Sequence, residues 1–157
     1  LPAIDDLVDE GVVDRIGLSN FRPDQLDEAV DRLDHDVFAH QVECHPLFQQ
    51  EELREYAVEH DHWLVAYSPI ARNRVADVDV LRKIAANHDA SPAQVSLAWL
   101  LSKEHVAPIP KAADFGHAEA NWAAREIDLT ADEIARIDGI DRGERVVDFE
   151  EAPWNQA

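Results

Sequence analysis

The sequence predicts an α/β domain with a parallel β-sheet, because short apolar runs and helical segments alternate along its whole length. Four of these runs have the length of a strand, and apolar residues at helical spacing fill the intervals between them. Parallel neighbours require crossover connections of this kind, which are right-handed in nearly all folds. The alternation leaves two architectures open, an open doubly wound sheet or a piece of a (β/α) barrel.

Each predicted strand is a short apolar run that ends at a polar residue or a proline. The run at 63–66 is apolar at every position, which is typical of a strand buried on both faces. The four predicted strands are residues 12–18, 37–42, 63–66 and 106–109.

The helices are predicted from apolar residues three and four apart and from signals at their starts. Ser91 with Gln94, and Thr130 with Glu133, have the spacing of capping boxes. Between the two, residues 95–101 leave little polar face, so that helix should be buried. The predicted helices are residues 23–33, 49–60, 77–88, 92–102 and 131–138.

The 157 residues are enough for one domain with a core, but a complete barrel of eight strand–helix units takes about 250 residues. The chain begins with Leu1 rather than Met, and residues 1–11 have the pattern of the end of a helix. We therefore expect a fragment. Residues 1–141 are predicted to be its folded unit, and residues 142–157, which lack periodicity, its C-terminal tail.

The chain is strongly acidic, with 14 basic and 33 acidic side chains and a net charge of −19. Nucleic acids and anionic membrane surfaces bind basic proteins, so neither is an expected partner. Aspartate is abundant and lysine nearly absent, a pattern that fits a halophilic protein in a salt-rich cytoplasm. The alternative is a disordered acidic chain, but 46% hydrophobic residues with regular periodicity favour a folded core.

Cysteine use and hydropathy also predict a cytoplasmic location. Cys44 is the only cysteine, which excludes an internal disulfide framework and suits a reducing interior. No run approaches the roughly 18 apolar residues of a membrane-spanning helix.

Polar residues collect where the predicted strands end. Because parallel β/α units place the carboxyl ends of their strands on one face, we expect these residues to converge there. Amides, hydroxyls, a flat aromatic ring and one cation together suit a nucleotide, through amide recognition, stacking and a phosphate contact. Neither a G-x-G-x-x-G nor a P-loop motif is present. The residues are Ser19, Asn20, Gln41, Glu43, His45, Tyr67, Ser68 and Lys111.

Other interpretations of single residues stay open at this point. Tyr67 could be a core aromatic residue and Lys111 a solvated surface lysine. His35, His40, Cys44 and His45 are close enough in sequence to suggest a metal cluster, and Cys44 with His45 suggests a nucleophile. Strand alternation puts Cys44 and His45 on opposite faces, however, so we expect neither a metal site nor a nucleophilic cysteine.

Four short motifs resemble those of the aldo-keto reductases and occur in the same order. This likeness covers nearly the whole chain, but only the second half of the family's barrel. It implies the C-terminal half, strands five to eight with their helices, of a (β/α)₈ TIM barrel. The motifs are GLSNF (17–21), QVECHP (41–46), AYSP (66–69) and IPK (109–111) followed by Asn121.

The resemblance implies that residues on the first three strands bind the nicotinamide ring of a cofactor. Ser19, Asn20 and Gln41 would hydrogen-bond the carboxamide of that ring. Tyr67 would stack on the ring and determine which face delivers hydride. The protein would thereby orient the cofactor, while the hydride belongs to the nicotinamide.

The remaining matching residues would bind the rest of the dinucleotide. Ser68 would contact the pyrophosphate, Lys111 the 2′-phosphate of NADPH and Asn121 the adenine end. Two positions depart from the family: Ala112 stands where a hydroxyl residue is common, and His117 where an arginine is common. Lys111 makes NADP the expected cofactor, but NAD stays possible because neutral histidine is a poorer phosphate partner than a guanidinium group.

The resemblance implies reduction of small aldehydes or ketones, with an Asp, Tyr, Lys and His set from the first half of the barrel. Neither Tyr56 nor Tyr67 occupies the position of that tyrosine, so the chain alone is expected to be inactive. The expected partners are a small carbonyl substrate and a missing N-terminal half barrel, in cis or in trans. The alternatives are a split-barrel subunit and a non-catalytic nucleotide-binding module.

Overall fold

Four parallel strands form a single sheet in the computed structural model, which describes residues 2–140, 142–148 and 152. Leu1, Asp141 and part of the predicted tail, residues 149–151 and 153–157, lie outside the described residues. The strands follow one another in chain order across the sheet. They are β1 (Ile16–Ser19), β2 (Val37–Glu43), β3 (Trp63–Tyr67) and β4 (Val106–Pro108).

Helices connect the strands, as the predicted crossovers require. Two short 3₁₀ segments, Ala71–Asp77 and Ala124–Glu126, accompany the α-helices of the described chain. The α-helices are α1 (Pro2–Asp9), α2 (Pro23–Val30), α3 (Glu51–Glu59), α4 (Asp79–Asn87), α5 (Pro92–Leu101), α6 (Phe115–Ala123) and α7 (Ala131–Asp138).

The strand order bears on the architecture that the alternation left open. A doubly wound sheet reverses its strand order at a switch point, whereas barrel strands are added in one direction. The described strands run β1-β2-β3-β4 without a reversal, and every adjacent pair is parallel. The sheet therefore has the order of a barrel wall, with the carboxyl ends of all four strands on one edge.

Helix α5 supplies much of the core, as its apolar sequence predicts. Residues 95–100 are all buried, and the indole of Trp99 donates a hydrogen bond of 2.7 Å to Asp138. Its predicted capping box is present, with the Ser91 hydroxyl accepting from the amide of Gln94. The second predicted box, at the start of α7, is confirmed in the same way.

The first strand is shorter than predicted. It begins at Ile16 rather than at residue 12, because the chain is still closing α1 there. The amides of Val12 and Val13 both donate to the carbonyl of Leu7, and Gly11 adopts a φ of 70°. Apolar character alone did not distinguish this helix end from a strand.

Two helical predictions were also wrong in detail. The predicted helix at 77–88 starts at Asp79, because Val78 is extended and separates it from the 3₁₀ segment before it. Helix α6 was not predicted, since none of its side chains is buried and it shows no apolar face. Trp122 lies on α6 and is 65% exposed, with the Arg125 guanidinium 4.1 Å from its ring centroid.

Candidate functional site

Four of the predicted site residues form one hydrogen-bonded group at the carboxyl edge of the sheet, which we call the amide cluster: Ser19, Asn20, Gln41 and Tyr67. The Ser19 hydroxyl donates to the backbone carbonyl of Gln41 at 3.1 Å. The Asn20 side chain donates to the Ser19 hydroxyl at 3.1 Å and accepts from the Tyr67 hydroxyl at 3.0 Å. Three adjacent strands are thus joined through side chains far apart in the sequence.

The ends of the strands account for this convergence. Ser19 lies opposite Gln41 in the β1–β2 register, and the amide of Asn20 donates to the same Gln41 carbonyl at 2.9 Å. Asn20 has a φ of 59°, in the left-handed region that asparagine tolerates better than most residues. This conformation ends the strand while the Asn20 side chain bonds both Ser19 and Tyr67.

The amide cluster keeps groups that a ligand could use. Gln41 is exposed, and no described residue hydrogen-bonds its side-chain amide. Asn20 and Tyr67 are half-buried, so each retains solvent-facing atoms beside the hydroxyl of Ser19. A carboxamide donates hydrogen bonds through its NH₂ group and accepts them through its oxygen. A binding site therefore needs both acceptors and donors, and amide side chains offer both. The donor set therefore fits a nicotinamide carboxamide.

Tyr67 is held as a neutral hydrogen-bond donor. Burial raises its pKa, and the negative charge of Glu43 raises it further. The Arg145 guanidinium acts in the opposite direction on the pKa of Tyr67, through its charge and a hydrogen bond. At neutral pH the phenol remains protonated and can donate to Asn20.

Ser68 lies in the turn directly after β3. It has a φ of 49°, and its carbonyl accepts a 2.8 Å hydrogen bond from the amide of Ala71. Ala71, Arg72 and Asn73 also have positive φ values, of 48°, 49° and 72°. Non-glycine residues rarely adopt this conformation, and such strain often collects at ligand-binding segments.

The predicted phosphate residues lie apart from the amide cluster in sequence, on the segment from β4 into α6. Lys111 and Ala112 are exposed, and Lys111 has no ion-pair partner among the described residues. Asn121 and Ala112 line a pocket of about 370 Å³ between α5 and α6, together with Trp122. Lys111 itself does not line this pocket, whose wall is mainly apolar.

His117 is already engaged with an aspartate. Asp114 caps α6 by accepting from the amide of His117 at 2.8 Å, and its other oxygen lies 2.9 Å from His117 Nδ1. The backbone hydrogen bond from His117 is the main reason why the pKa of Asp114 lies below its usual value. A carboxylate therefore stands beside the imidazole where an anionic phosphate would have to approach.

Two residues to which the sequence assigned no cofactor contact, Glu43 and Arg145, lie close to the amide cluster. Glu43 is fully buried at the end of β2, opposite Tyr67 in the β2–β3 register. Arg145 lines a pocket of about 370 Å³ together with Asn20 and Phe21. The sequence placed Glu43 among the polar residues at the end of its strand, but nothing in the unpatterned tail marked Arg145.

The described residues contain no group of three or more His, Cys, Asp or Glu side chains that could hold a metal ion. Cys44 is buried, and its thiol donates to the carbonyl of Gln49 at 3.3 Å. Over the same residues, no helix is both long and apolar enough to cross a membrane.

Comparison with known proteins identifies a family to which the sequence is similar over most of its length. The model of the aldo/keto reductase family matches residues 1–142. The chain belongs to the aldo/keto reductase family. The match spans all four strands and the polar residues at their carboxyl ends.

Individual proteins named as reductases are also similar in sequence to this chain. The chain is 35% identical over 147 residues to the 9,11-endoperoxide prostaglandin H2 reductase of Trypanosoma cruzi, covering 92% of this chain and 52% of that protein. It is 33% identical over 144 residues to the glyoxal reductase of Bacillus subtilis, with the same coverage. The chain therefore spans about half the length of the curated relatives it matches.

Solved structures of aldo-keto reductases match the fold as well as the sequence. A thermostable aldo-keto reductase in complex with the inhibitor epalrestat superposes with a TM-score of 0.85 at 34% identity. The match covers 89% of this chain and 53% of that one. The described α/β fold, with its parallel sheet, is thus that of aldo-keto reductase TIM-barrel structures.

Proposed function

We propose that this chain supplies the nicotinamide-cofactor site of an enzyme that reduces small aldehydes or ketones with NAD(P)H. The amide cluster carries the proposal, because Ser19, Asn20 and Gln41 present amide and hydroxyl groups beside the flat ring of Tyr67. Membership of the aldo/keto reductase family supports carbonyl reduction as the chemistry. The names of two relatives, a glyoxal reductase and a methylglyoxal reductase, point to small carbonyl substrates.

In this proposal the chain binds and orients the cofactor. When bound, the cofactor supplies the hydride that reduces the carbonyl carbon. Gln41 and Asn20 hold the carboxamide, so that the ring lies against Tyr67 with one face open. Ser68 then contacts the pyrophosphate, while Lys111, Ala112 and His117 lie at the 2′-phosphate end and Asn121 at the adenine end.

The proposal includes a second contributor to the barrel. β1 and β4 are the outer strands of the four-stranded sheet, and unpaired edges of this kind normally have a partner. We propose that residues 1–141 form strands five to eight of a (β/α)₈ barrel, with residues 142–157 as the tail. The N-terminal half, in cis or in trans, would supply the residues that protonate the carbonyl oxygen.

NADP is the proposed cofactor, with NAD as a second possibility. The free ammonium group of Lys111 favours the additional phosphate of NADP. The Asp114 carboxylate beside His117 opposes it. The acidic composition and the single buried cysteine support a salt-rich cytoplasm as the setting of this activity.

Titration of the 157-residue chain with NADPH and with NADH, followed by energy transfer from tryptophan to the reduced nicotinamide, tests the proposal. We expect saturable binding that Gln41→Ala weakens by about tenfold, the effect of losing hydrogen bonds worth roughly 1.4 kcal/mol. Glu28→Gln, an exposed change on α2, is the matched control and should leave binding unchanged. Binding that is equally strong in the Gln41→Ala variant would contradict the proposed site.

A further inference from the structure

The C-terminal arm, defined here as residues 142–148, contains no helix or strand but is held against the carboxyl edge of the sheet. The amide of Glu144 donates to the carbonyl of Leu47 at 2.9 Å. Further along, the amides of Val146 and Val147 donate to the two carboxylate oxygens of Glu43, at 2.6 and 3.0 Å. One side chain thus holds two consecutive amides of a segment about one hundred residues away in the sequence.

Glu43 is an unusual residue for the interior of a sheet. Its side chain is fully buried, and burial of an ionised carboxylate is unfavourable unless hydrogen bonds or charges compensate. Here His45 Nε2 lies 2.9 Å from one oxygen, and Arg145 Nη1 lies 3.9 Å from the other. Burial alone would raise the pKa of Glu43, but the hydrogen bonds from His45 and the arm amides hold it below its usual value.

The two hydrogen bonds from the arm amides to Glu43, called the clamp from here on, also bring the arm close to the amide cluster. Glu43 pairs with Tyr67 in the strand register, and the amide of Cys44 donates to the Tyr67 carbonyl at 3.3 Å. Arg145, next to the clamped amides, lies with its guanidinium 4.6 Å from the ring centroid of Phe48. Arg145 Nη1 also lies 3.9 Å from Glu43, the residue opposite Tyr67 in the register, and the arginine lowers the pKa of the Tyr67 hydroxyl that donates to Asn20.

We propose that Glu43 is a positioning residue, which clamps the C-terminal arm through Val146 and Val147 and thereby places Arg145 against Tyr67. The arm is then part of the cofactor site, and Arg145 helps to fix the orientation of the amide cluster. The effect on cofactor affinity rests on the proposed function. The clamp and its effect on Tyr67 do not rest on the proposed function. They are therefore measured separately from cofactor affinity.

Amide hydrogen exchange of the cofactor-free chain measures the clamp directly. In Glu43→Gln, which keeps the shape of the side chain but removes its charge, we expect exchange at Val146 and Val147 to accelerate at least tenfold. The amides of α5 should keep their wild-type rates, which shows that the fold is intact. Glu144→Gln, on the same arm, is the matched control and should leave Val146 and Val147 protected.

The position of Arg145 is measured at Tyr67. The chain has two tyrosines, so ¹³C-labelled tyrosine gives two ring signals, assigned with Tyr67→Phe. We expect Glu43→Gln and Arg145→Gln both to shift the Tyr67 signal while the Tyr56 signal stays in place, and Arg145→Lys to restore part of the shift. Because Arg145→Gln leaves the buried carboxylate intact, it provides the test even if Glu43→Gln does not fold.

Cofactor titration completes the test. With NADPH we expect Glu43→Gln and Arg145→Gln to weaken binding about fivefold or more, and Glu144→Gln to leave it unchanged. An unshifted Tyr67 signal in both variants, or unchanged exchange at Val146 and Val147 in a folded Glu43→Gln variant, overturns the positioning role. If both structural readouts respond but the wild-type chain binds neither NADPH nor NADH, the positioning role stands and the proposed function fails.

Discussion

Tyr67 donates its phenolic hydrogen to Asn20 Oδ1 across 3.0 Å, although 47 residues separate the two in the sequence. The bond links the end of β3 to the end of β1 across the intervening β2. It also determines which atoms of Asn20 remain available, because the Asn20 Nδ2 group is already bonded to Ser19. The Tyr67 ring and the Asn20 side-chain amide are therefore oriented together. A substitution at Tyr67 should change the orientation of Asn20 as well.

Two substitutions of Tyr67 separate these roles. Tyr67→Phe keeps the ring but frees Asn20, and one neutral hydrogen bond is worth about 1 kcal/mol, so nicotinamide binding should weaken about fivefold. Tyr67→Ala also removes the stacking surface, so nicotinamide binding should weaken several times further. Fluorescence titration with NADPH measures both affinities. If the Phe and Ala variants bind equally well, the ring does not stack on the nicotinamide.

Residue 117 should control the preference between NADPH and NADH. His117→Arg places a guanidinium fork where the imidazole now pairs with Asp114, and charge-assisted bonds to phosphate are worth roughly 1.5–3 kcal/mol. We expect NADPH to bind at least about tenfold more tightly and NADH to change little. His117→Gln, which adds no charge, is the control. An equal gain for both cofactors would show that residue 117 does not face the 2′-phosphate.

Lys111 supplies the complementary measurement. Lys111→Gln should weaken NADPH binding about tenfold while NADH loses much less, because only NADPH carries the additional phosphate. The discrimination should also shrink as salt is raised, since an exposed ion pair is screened. Parallel titrations at low and high salt measure it. A uniform loss for both cofactors would place Lys111 on a part of the dinucleotide that they share.

The amide cluster was predictable from sequence because its residues directly follow buried apolar runs, and parallel strands bring their ends to one edge. Glu43 was noted on its strand, but its partners lie in a tail without periodicity, so no pattern connected them. Helix α6 was missed because it buries no side chain and so leaves no apolar stripe in the sequence. Its capping residue, Asp114, was the one local signal.

A buried histidine should make stability depend on pH. His40 is fully buried, and its Nε2 accepts a 3.1 Å hydrogen bond from the amide of Phe21. Burial, with the charge of His62 as a second cause, lowers the pKa of His40 from 6.5 to about 4. The unfolded chain therefore takes up this proton first as pH falls. The free energy of unfolding should fall by about 3 kcal/mol between pH 6.5 and pH 4. Below pH 4, His40 should cause no further loss.

Urea unfolding at intervals between pH 7.5 and pH 4 measures this loss. His40→Gln retains an acceptor for Phe21 and does not titrate, so its stability should fall less over that range. A His40→Gln variant whose stability follows the wild-type curve would assign the pH dependence to other groups.

The net charge of −19 should make folding depend on salt. Repulsion among carboxylates destabilises the compact state, and at 1 M salt the Debye length of about 3 Å screens most of it. We expect the melting temperature to rise steeply with KCl up to about 1 M. The double substitution Asp6→Lys and Glu10→Lys replaces two exposed negative charges on or next to α1 with positive ones, and it should raise stability mainly at low salt. The two curves should therefore converge as KCl increases. Parallel curves would instead indicate that salt acts by strengthening apolar burial, which does not depend on surface charge.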